Sequence, residues 1–304
     1  MTELSVAPEA PTRLPIPWVT WALCASIVVV FLAIQLQGGT AAAQRWGWQP
    51  ANEIWRDKPW ALVTSSLVHV DFIHLIFNLY WLWVLGRVVE RLLGPGRLIA
   101  FAAAAALVSG AAQLAWSDQT GIGFSGVGYA LFGLAWVVSV QRPDLGVRIS
   151  RSTARLFGVW LLFGIFATYV QLVNFGNAAH LAGGLFGLCA GFAYTERWRS
   201  LAVTGLGAFV ALSLLIAVWA PWSPGWNAAQ AMSAYRKGDS ARAVEWLDAS
   251  LRRGQSPIWV TQTKAMIHWQ AGQKQQVQAD LELLRRLDAK KAASFERELE
   301  GRNR

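Results

Sequence analysis

Gly123-Phe124-Ser125-Gly126-Val127-Gly128-Tyr129 opens an apolar run that continues to residue 141, and the reading of this stretch decides the fold. A serine flanked by glycines exposes both its hydroxyl and its backbone N–H. A second apolar run carries His180 at its start. A histidine can take a serine's proton. Polar groups inside lipid-soluble helices are costly and are functional by default. A nucleophile and a base, both in such helices, point to hydrolysis within a bilayer.

Working outward, seven apolar runs are long enough to span a bilayer or nearly so, at roughly 18–37, 71–92, 97–116, 125–141, 155–174, 178–195 and 201–220. The fold class expected is all-α: a polytopic membrane helix bundle followed by a small soluble α-helical, repeat-like domain. The expected parts are an N-terminal cytoplasmic segment (1–17), a six-helix core (18–200), a seventh transmembrane helix (201–220) and a soluble helical domain (224–304). The sixth run has Gly183, Gly187 and Gly191 at intervals of four. Such a stripe of small residues lets a neighbouring helix approach closely.

Composition agrees with a membrane protein. Of 304 residues, 54% are hydrophobic and 15% charged, against about 25% charged in ordinary globular chains. The 18 tryptophans fit membrane interfaces. Cys24 and Cys189 both fall inside apolar runs and read as small buried hydrophobes, with no disulfide framework or metal-binding spacing. The net charge of +9 comes with no nucleic-acid-binding motif, so no nucleic-acid partner is expected. Loop charge that sets topology accounts for it better.

Arginines mark one face. The loop after the second run has Arg87, Arg91 and Arg97; the loop after the fourth has Arg142, Arg148, Arg151 and Arg155; the loop after the sixth has Arg197 and Arg199. By the positive-inside rule these loops and the N-terminus are cytoplasmic. An odd number of spans puts the C-terminal domain outside. The chain is expected to be a multi-pass protein of the inner or plasma membrane. Ala41-Ala42-Ala43 after the first run has the small residues of a signal-peptidase site, but the run is longer than a signal segment and only Arg13 is basic before it. An uncleaved first span is expected.

Composition changes at Pro221-Trp222-Ser223-Pro224. Beyond it, Tyr235-Arg236-Lys237-Gly238-Asp239 is echoed 34 positions on by Trp269-Gln270-Ala271-Gly272-Gln273, and Ala231/Ala265 and Leu247/Leu281 keep that register. The period resembles tetratricopeptide repeats, two helices per unit with a glycine between them. Two generic helical hairpins fit equally well. The tail is expected to bind a protein partner and to be dispensable for the chemical step. His268 within it reads as a surface histidine.

More of the chemistry lies in the second run. His74 and Asn78 are four apart and share a helix face. Donors aimed at one point stabilise the oxyanion formed when a carbonyl is attacked, and the Ser125 amide adds a third. Tyr129, four after Ser125, shares the serine's face and is placed to pack on the His180 imidazole. Asp118 and Asp144 fall in loops and Glu90 lies at the far end of its run, so a Ser–His dyad is expected rather than a triad. Asp71 reads as a helix N-cap, and His69 as an interfacial residue.

These residues resemble the rhomboid family of intramembrane serine proteases. The pattern is His74-x-x-x-Asn78 in the second run, Gly123-x-Ser125-Gly126 opening the fourth, and Ala179-His180-x-x-Gly183 in the sixth. The resemblance covers roughly residues 18–195 and its three motifs stand in the family's order. It implies Ser125 as nucleophile, His180 as general base, His74 and Asn78 in the oxyanion hole, and Tyr129 packed on the histidine, with Gly123, Gly126 and Gly183 as motif glycines. It implies single-span membrane proteins as substrates, cut near the outer face, and no metal or organic cofactor. The family's first-loop Trp-Arg pair is displaced: Trp60 precedes Ala61, while Trp55-Arg56 lies earlier.

Two other function classes compete. A catalytically silent rhomboid-like binder of membrane helices would typically lack the serine or the histidine, and both are present. A small-solute transporter would show charged midspan residues and paired broken helices, and no internal inverted repeat is visible.

Overall fold

The computed structural model describes residues 16–301. Most of the expected cytoplasmic segment (1–17), including Arg13, lies outside the described residues, as do residues 302–304.

The described chain is helical throughout. Helix α1 (Trp18–Leu36) leads into a long first loop, which holds a 3₁₀ turn (Gly39–Trp46), α2 (Ala51–Arg56), α3 (Ala61–Thr64) and a second 3₁₀ turn (Ser65–Leu67). The bundle continues with α4 (Phe72–Leu93), α5 (Pro95–Ser117), α6 (Ser125–Gln141), α7 (Arg151–Tyr169), α8 (Asn177–Tyr194) and α9 (Arg199–Val218). Five shorter helices follow: α10 (Pro224–Arg236), α11 (Ser240–Arg252), α12 (Pro257–Gln270), α13 (Lys274–Leu287) and α14 (Ala289–Gly301).

Local chemistry sets many of these boundaries. Asp71 caps α4 by accepting from the His74 amide at 2.8 Å, as expected of that residue. Gly94 ends α4 and Pro95 starts α5 at once; proline needs no partner for an N–H it lacks. Ser150 caps α7 through the Thr153 amide, so α7 begins at Arg151, four residues before the apolar run. It ends at Tyr169 rather than 174, and Gln171 just beyond it takes the left-handed conformation (φ 57°). Ser223, Asp239 and Ser256 cap α10, α11 and α12. Gly238 and Gly272, the repeated glycines, sit at φ 82° and 72° between the helices of each hairpin.

Each of the seven apolar runs is a helix, but only five are long and apolar enough to cross a membrane by themselves: α1, α4, α5, α7 and α9. The other two are α6, of 17 residues, and α8, whose first turn carries Asn177 and His180. These inner helices pack against each other along the glycine stripe. A Cβ on Gly187 would lie 2.7 Å from Ala130 backbone atoms, and one on Gly191 2.6 Å from the Val137 side chain. Backbones therefore approach where side chains are missing. Around this pair, α1, α4 and α5 contribute Ile27, Leu82, Leu85, Leu98 and Ala105 to one buried core.

Helices α7 and α9 lie at the periphery. Val159, Leu162, Phe166, Leu201, Leu212 and Val218 are exposed. An apolar surface this broad is stable facing lipid rather than water. With the five spanning helices it makes the chain a multi-pass membrane protein. Glu90 is buried at the arginine-rich end, where it accepts from the Val19 amide (2.9 Å), the Thr20 amide (2.8 Å) and Thr20 Oγ1 (2.6 Å). The carboxylate satisfies donors that the start of α1 leaves unpaired and complements its dipole. At the same end Tyr194 donates to the Leu92 carbonyl and Arg197 to Gln141 Oε1.

Candidate active site

At the opposite end of the bundle the first turns of α4, α6 and α8 converge on a cavity of about 620 Å³. Ser125 begins α6 and His180 lies in the first turn of α8. Their side chains meet: Ser125 Oγ is 2.7 Å from His180 Nε2. That distance follows from the packing below it. A Cβ on Gly183 would stand 2.8 Å from Ser109 Oγ and 3.0 Å from the Gly126 carbonyl carbon, and one on Gly126 would meet Ser109 Cβ at 2.7 Å. Two motif glycines thus permit the contact between the helices that carry serine and histidine.

His180 is buried and stacks on Tyr129, with centroids 4.7 Å apart and planes at 19°. Tyr129 is itself held, donating its hydroxyl to the Phe157 carbonyl at 3.0 Å. His180 Nδ1 has no hydrogen-bond partner among the described residues. The three acids considered from sequence are engaged elsewhere. Glu90 caps α1, Asp144 pairs with Arg142 at 2.8 Å, and Asp118 accepts from Ser223 and Gly225. Burial holds the Asp118 carboxyl above the usual carboxylate range, opposed in part by those two hydrogen bonds.

His74, Asn78, Gly123, Gly126 and Tyr129 all line the cavity with Ser125 and His180. Asn78 is buried and donates one Nδ2 hydrogen to the His74 carbonyl at 2.9 Å, which leaves its second N–H available. Gly123 has φ 96°, and a Cβ there would collide with the His74 ring; only glycine fits this turn. Helix α6 has no side-chain cap. The first-turn amides, including that of Ser125, are the groups a helix start leaves without intrahelical partners, and the positive end of the helix dipole lies beside the Ser125 hydroxyl.

His69 was read from sequence as interfacial. The structure instead buries it completely beside the turn that carries Ser125. The Phe124 amide donates to His69 Nε2 at 3.4 Å, and His69 Nδ1 lies 3.2 Å from the Leu67 carbonyl. The ring also sits 4.9 Å from that of His74. The signal that marks it is its place two residues before the α4 cap Asp71, which leaves it in the loop that folds back over the first turn of that helix. The displaced Trp55-Arg56 pair falls in α2, where Trp55 Nε1 donates to the Ile216 carbonyl at 2.8 Å and Arg56 pairs with Glu53. His268 is not a surface residue either: it is largely buried, 2.7 Å from Asp280.

The profile of the Rhomboid domain family matches residues 53–197, from the first loop to the residues just after α8. The family comprises intramembrane serine proteases and related proteins. Residues 53–197 are therefore a rhomboid domain, set in an all-helical membrane bundle.

Proposed function

We propose that the chain is an intramembrane serine endopeptidase that cuts transmembrane helices of single-span membrane proteins near the outer face. The observation that carries this reading is the 2.7 Å contact between Ser125 Oγ and His180 Nε2 at the wall of a cavity. His180 takes the Ser125 proton through Nε2 as Oγ attacks the peptide carbonyl. The resulting imidazolium is stabilised by the Tyr129 ring face rather than by a carboxylate. His74, Asn78 and the Ser125 amide donate to the oxyanion. His180 then returns its proton to the leaving amine, and a water deprotonated by the same nitrogen hydrolyses the acyl-enzyme. A substrate helix exposes its carbonyl only where it unwinds, because lipid offers no alternative hydrogen-bond partner. Helix breakers and small residues near the cut are expected.

The arginine-rich end is read as cytoplasmic, which puts the Ser125 site towards the outer face and the C-terminal domain outside. The two hairpins α10–α11 and α12–α13 are read as tetratricopeptide-like units that bind a protein segment. The test of the enzyme reading is labelling of the purified chain with a fluorophosphonate probe. The parent should label and Ser125→Ala should not. An unlabelled, folded parent would instead identify a silent binder of membrane helices.

A further inference from the structure

Asp118 stands at a three-way junction. It ends α5 in the left-handed conformation (φ 58°). Its neighbours Ser117 and Gln119 line the active-site cavity, as do Thr120 and Gly121. The Asp118 carboxylate is occupied by α10: it accepts from Ser223 Oγ and from the Gly225 amide at 3.1 Å. Ser223 is simultaneously the N-cap of α10, accepting from the Trp226 amide at 3.0 Å. At Gly225 there is no space for a side chain. A Cβ would meet Ala51 Cβ of α2 at 2.8 Å and the two Asp118 oxygens at 2.8 and 2.9 Å.

Contacts around this point fix the C-terminal domain to the bundle. Trp222 Nε1 donates to the Ala115 carbonyl at 3.2 Å and Trp226 Nε1 to that of Val218 at 3.1 Å. Ser250 Oγ donates to the Pro224 carbonyl at 2.7 Å, bringing α11 into the joint. Arg236 lies 3.9 Å from Asp57 of the first loop. The segment between Asp118 and Ser125 is irregular, with Gly121 and Gly123 both at positive φ. Without helical hydrogen bonds, such a segment is ordered by its end anchors and by Ile122, which packs on the Ile34, Ala43 and Val68 cluster. At one end Gly123 donates to the Ser65 carbonyl at 3.2 Å and Phe124 to His69. At the other, the anchor is Asp118.

We propose that Asp118 is a positioning residue, and that its clasp on Ser223 and Gly225 makes the C-terminal domain a structural part of the active-site wall. The domain holds the segment 118–124, and this segment presents Ser125 to His180. The inference rests on the protease reading for its kinetic consequence. It replaces the expectation, drawn from composition, that the tail is dispensable for the chemical step.

The test uses the full chain in liposomes with a short transmembrane test substrate. In Asp118→Ala, kcat should fall about tenfold, the order expected when a hydrogen bond to a charged group that orients a reacting centre is lost. KM should stay unchanged, because Asp118 touches no substrate. Asp118→Asn, which keeps an acceptor oxygen, should recover most of the rate. Gly225→Ala, which drives α10 away while leaving Asp118 intact, should reproduce the loss. Adding Ser223→Ala to Asp118→Ala should lower kcat no further, the lost α10 cap showing only as lower stability. Hydrogen exchange of the 118–124 amides should rise in Asp118→Ala, a readout that stands whether or not the chain is a protease. Unchanged exchange protection overturns the clasp, and so does a parental kcat in a cleaving enzyme. A rise in KM alone overturns it too, since that is the mark of a domain that only recruits. Absence of cleavage by the parent, with exchange raised in Asp118→Ala, would overturn the protease reading while leaving the clasp supported.

Discussion

Ser125 Oγ and His180 Nε2 lie 2.7 Å apart across 55 positions of sequence. The contact exists because α6 and α8 approach with almost no side chain between them. If the two groups form a nucleophile–base pair, they act as a unit, and either loss alone removes most of the catalysis. Ser125→Ala and His180→Ala should each abolish cleavage of a transmembrane test substrate while the chain still folds and inserts, His180→Ala unfolding at a lower temperature because it empties the space against Tyr129. Near-parental turnover in purified Ser125→Ala would sink the assignment.

His74 and Asn78 line the same cavity, and each can offer it an N–H. One Asn78 N–H is held by the His74 carbonyl, which orients the amide and leaves its second N–H for an oxyanion. Loss of an oxyanion donor costs about two to three orders of magnitude in kcat where nothing compensates. His74→Ala and Asn78→Ala should each lower turnover towards that range without abolishing it. Steady-state kinetics decide the matter: a change confined to KM would make both residues substrate-binding groups instead.

Tyr129 offers two separable contributions, the ring stacked on His180 and the hydroxyl bonded to the Phe157 carbonyl. Tyr129→Phe keeps the stack and should lower stability by about 1 kcal/mol, the net worth of one hydrogen bond, with kcat nearly unchanged. Tyr129→Ala removes the surface that orients the imidazole and should lower kcat strongly. Equal turnover in the two variants would show that the ring does not position His180.

Gly187 lies below the site, with Ala130 backbone atoms 2.7 Å from where its Cβ would be. Gly187→Ala forces α6 and α8 apart, and backbone cannot rotate aside as a side chain can. Overpacking of this kind costs about 1–3 kcal/mol. The variant should unfold at lower temperature and should also label more slowly with a fluorophosphonate, because the serine–histidine spacing depends on this contact. Parental values for both would show that the helices adjust freely.

The C-terminal domain joins the bundle at the end that holds Ser125, through Asp118 and Trp222. With the arginine-rich loops cytoplasmic, alkaline phosphatase fused at the C-terminus should be active, and a fusion placed after Asp144 inactive. The reverse pattern would invert the topology and put the site on the cytoplasmic side.

Much of this architecture is legible in the sequence because its causes are local. Apolar runs of span length, Asp71 as a cap, and the paired Gly238 and Gly272 each act within a few residues. The family motifs are legible for the same reason, as short spacings on single helices. The extents of α7 were misjudged because a cap and a left-handed residue, not hydropathy, end that helix.

What the sequence by itself determined is therefore the helices, their order and the residue types at the site. Only the tertiary structure decided which groups meet. The serine–histidine contact, the burial of His69 beside the turn that carries Ser125, the pairing of His268 with Asp280 and the clasp of Asp118 on α10 all join residues distant in sequence or on different elements. Such contacts depend on how closely whole helices approach, and that is set by the summed volumes of side chains on both partners. Periodicity and propensity are properties of one segment at a time, so they carry no information about that distance.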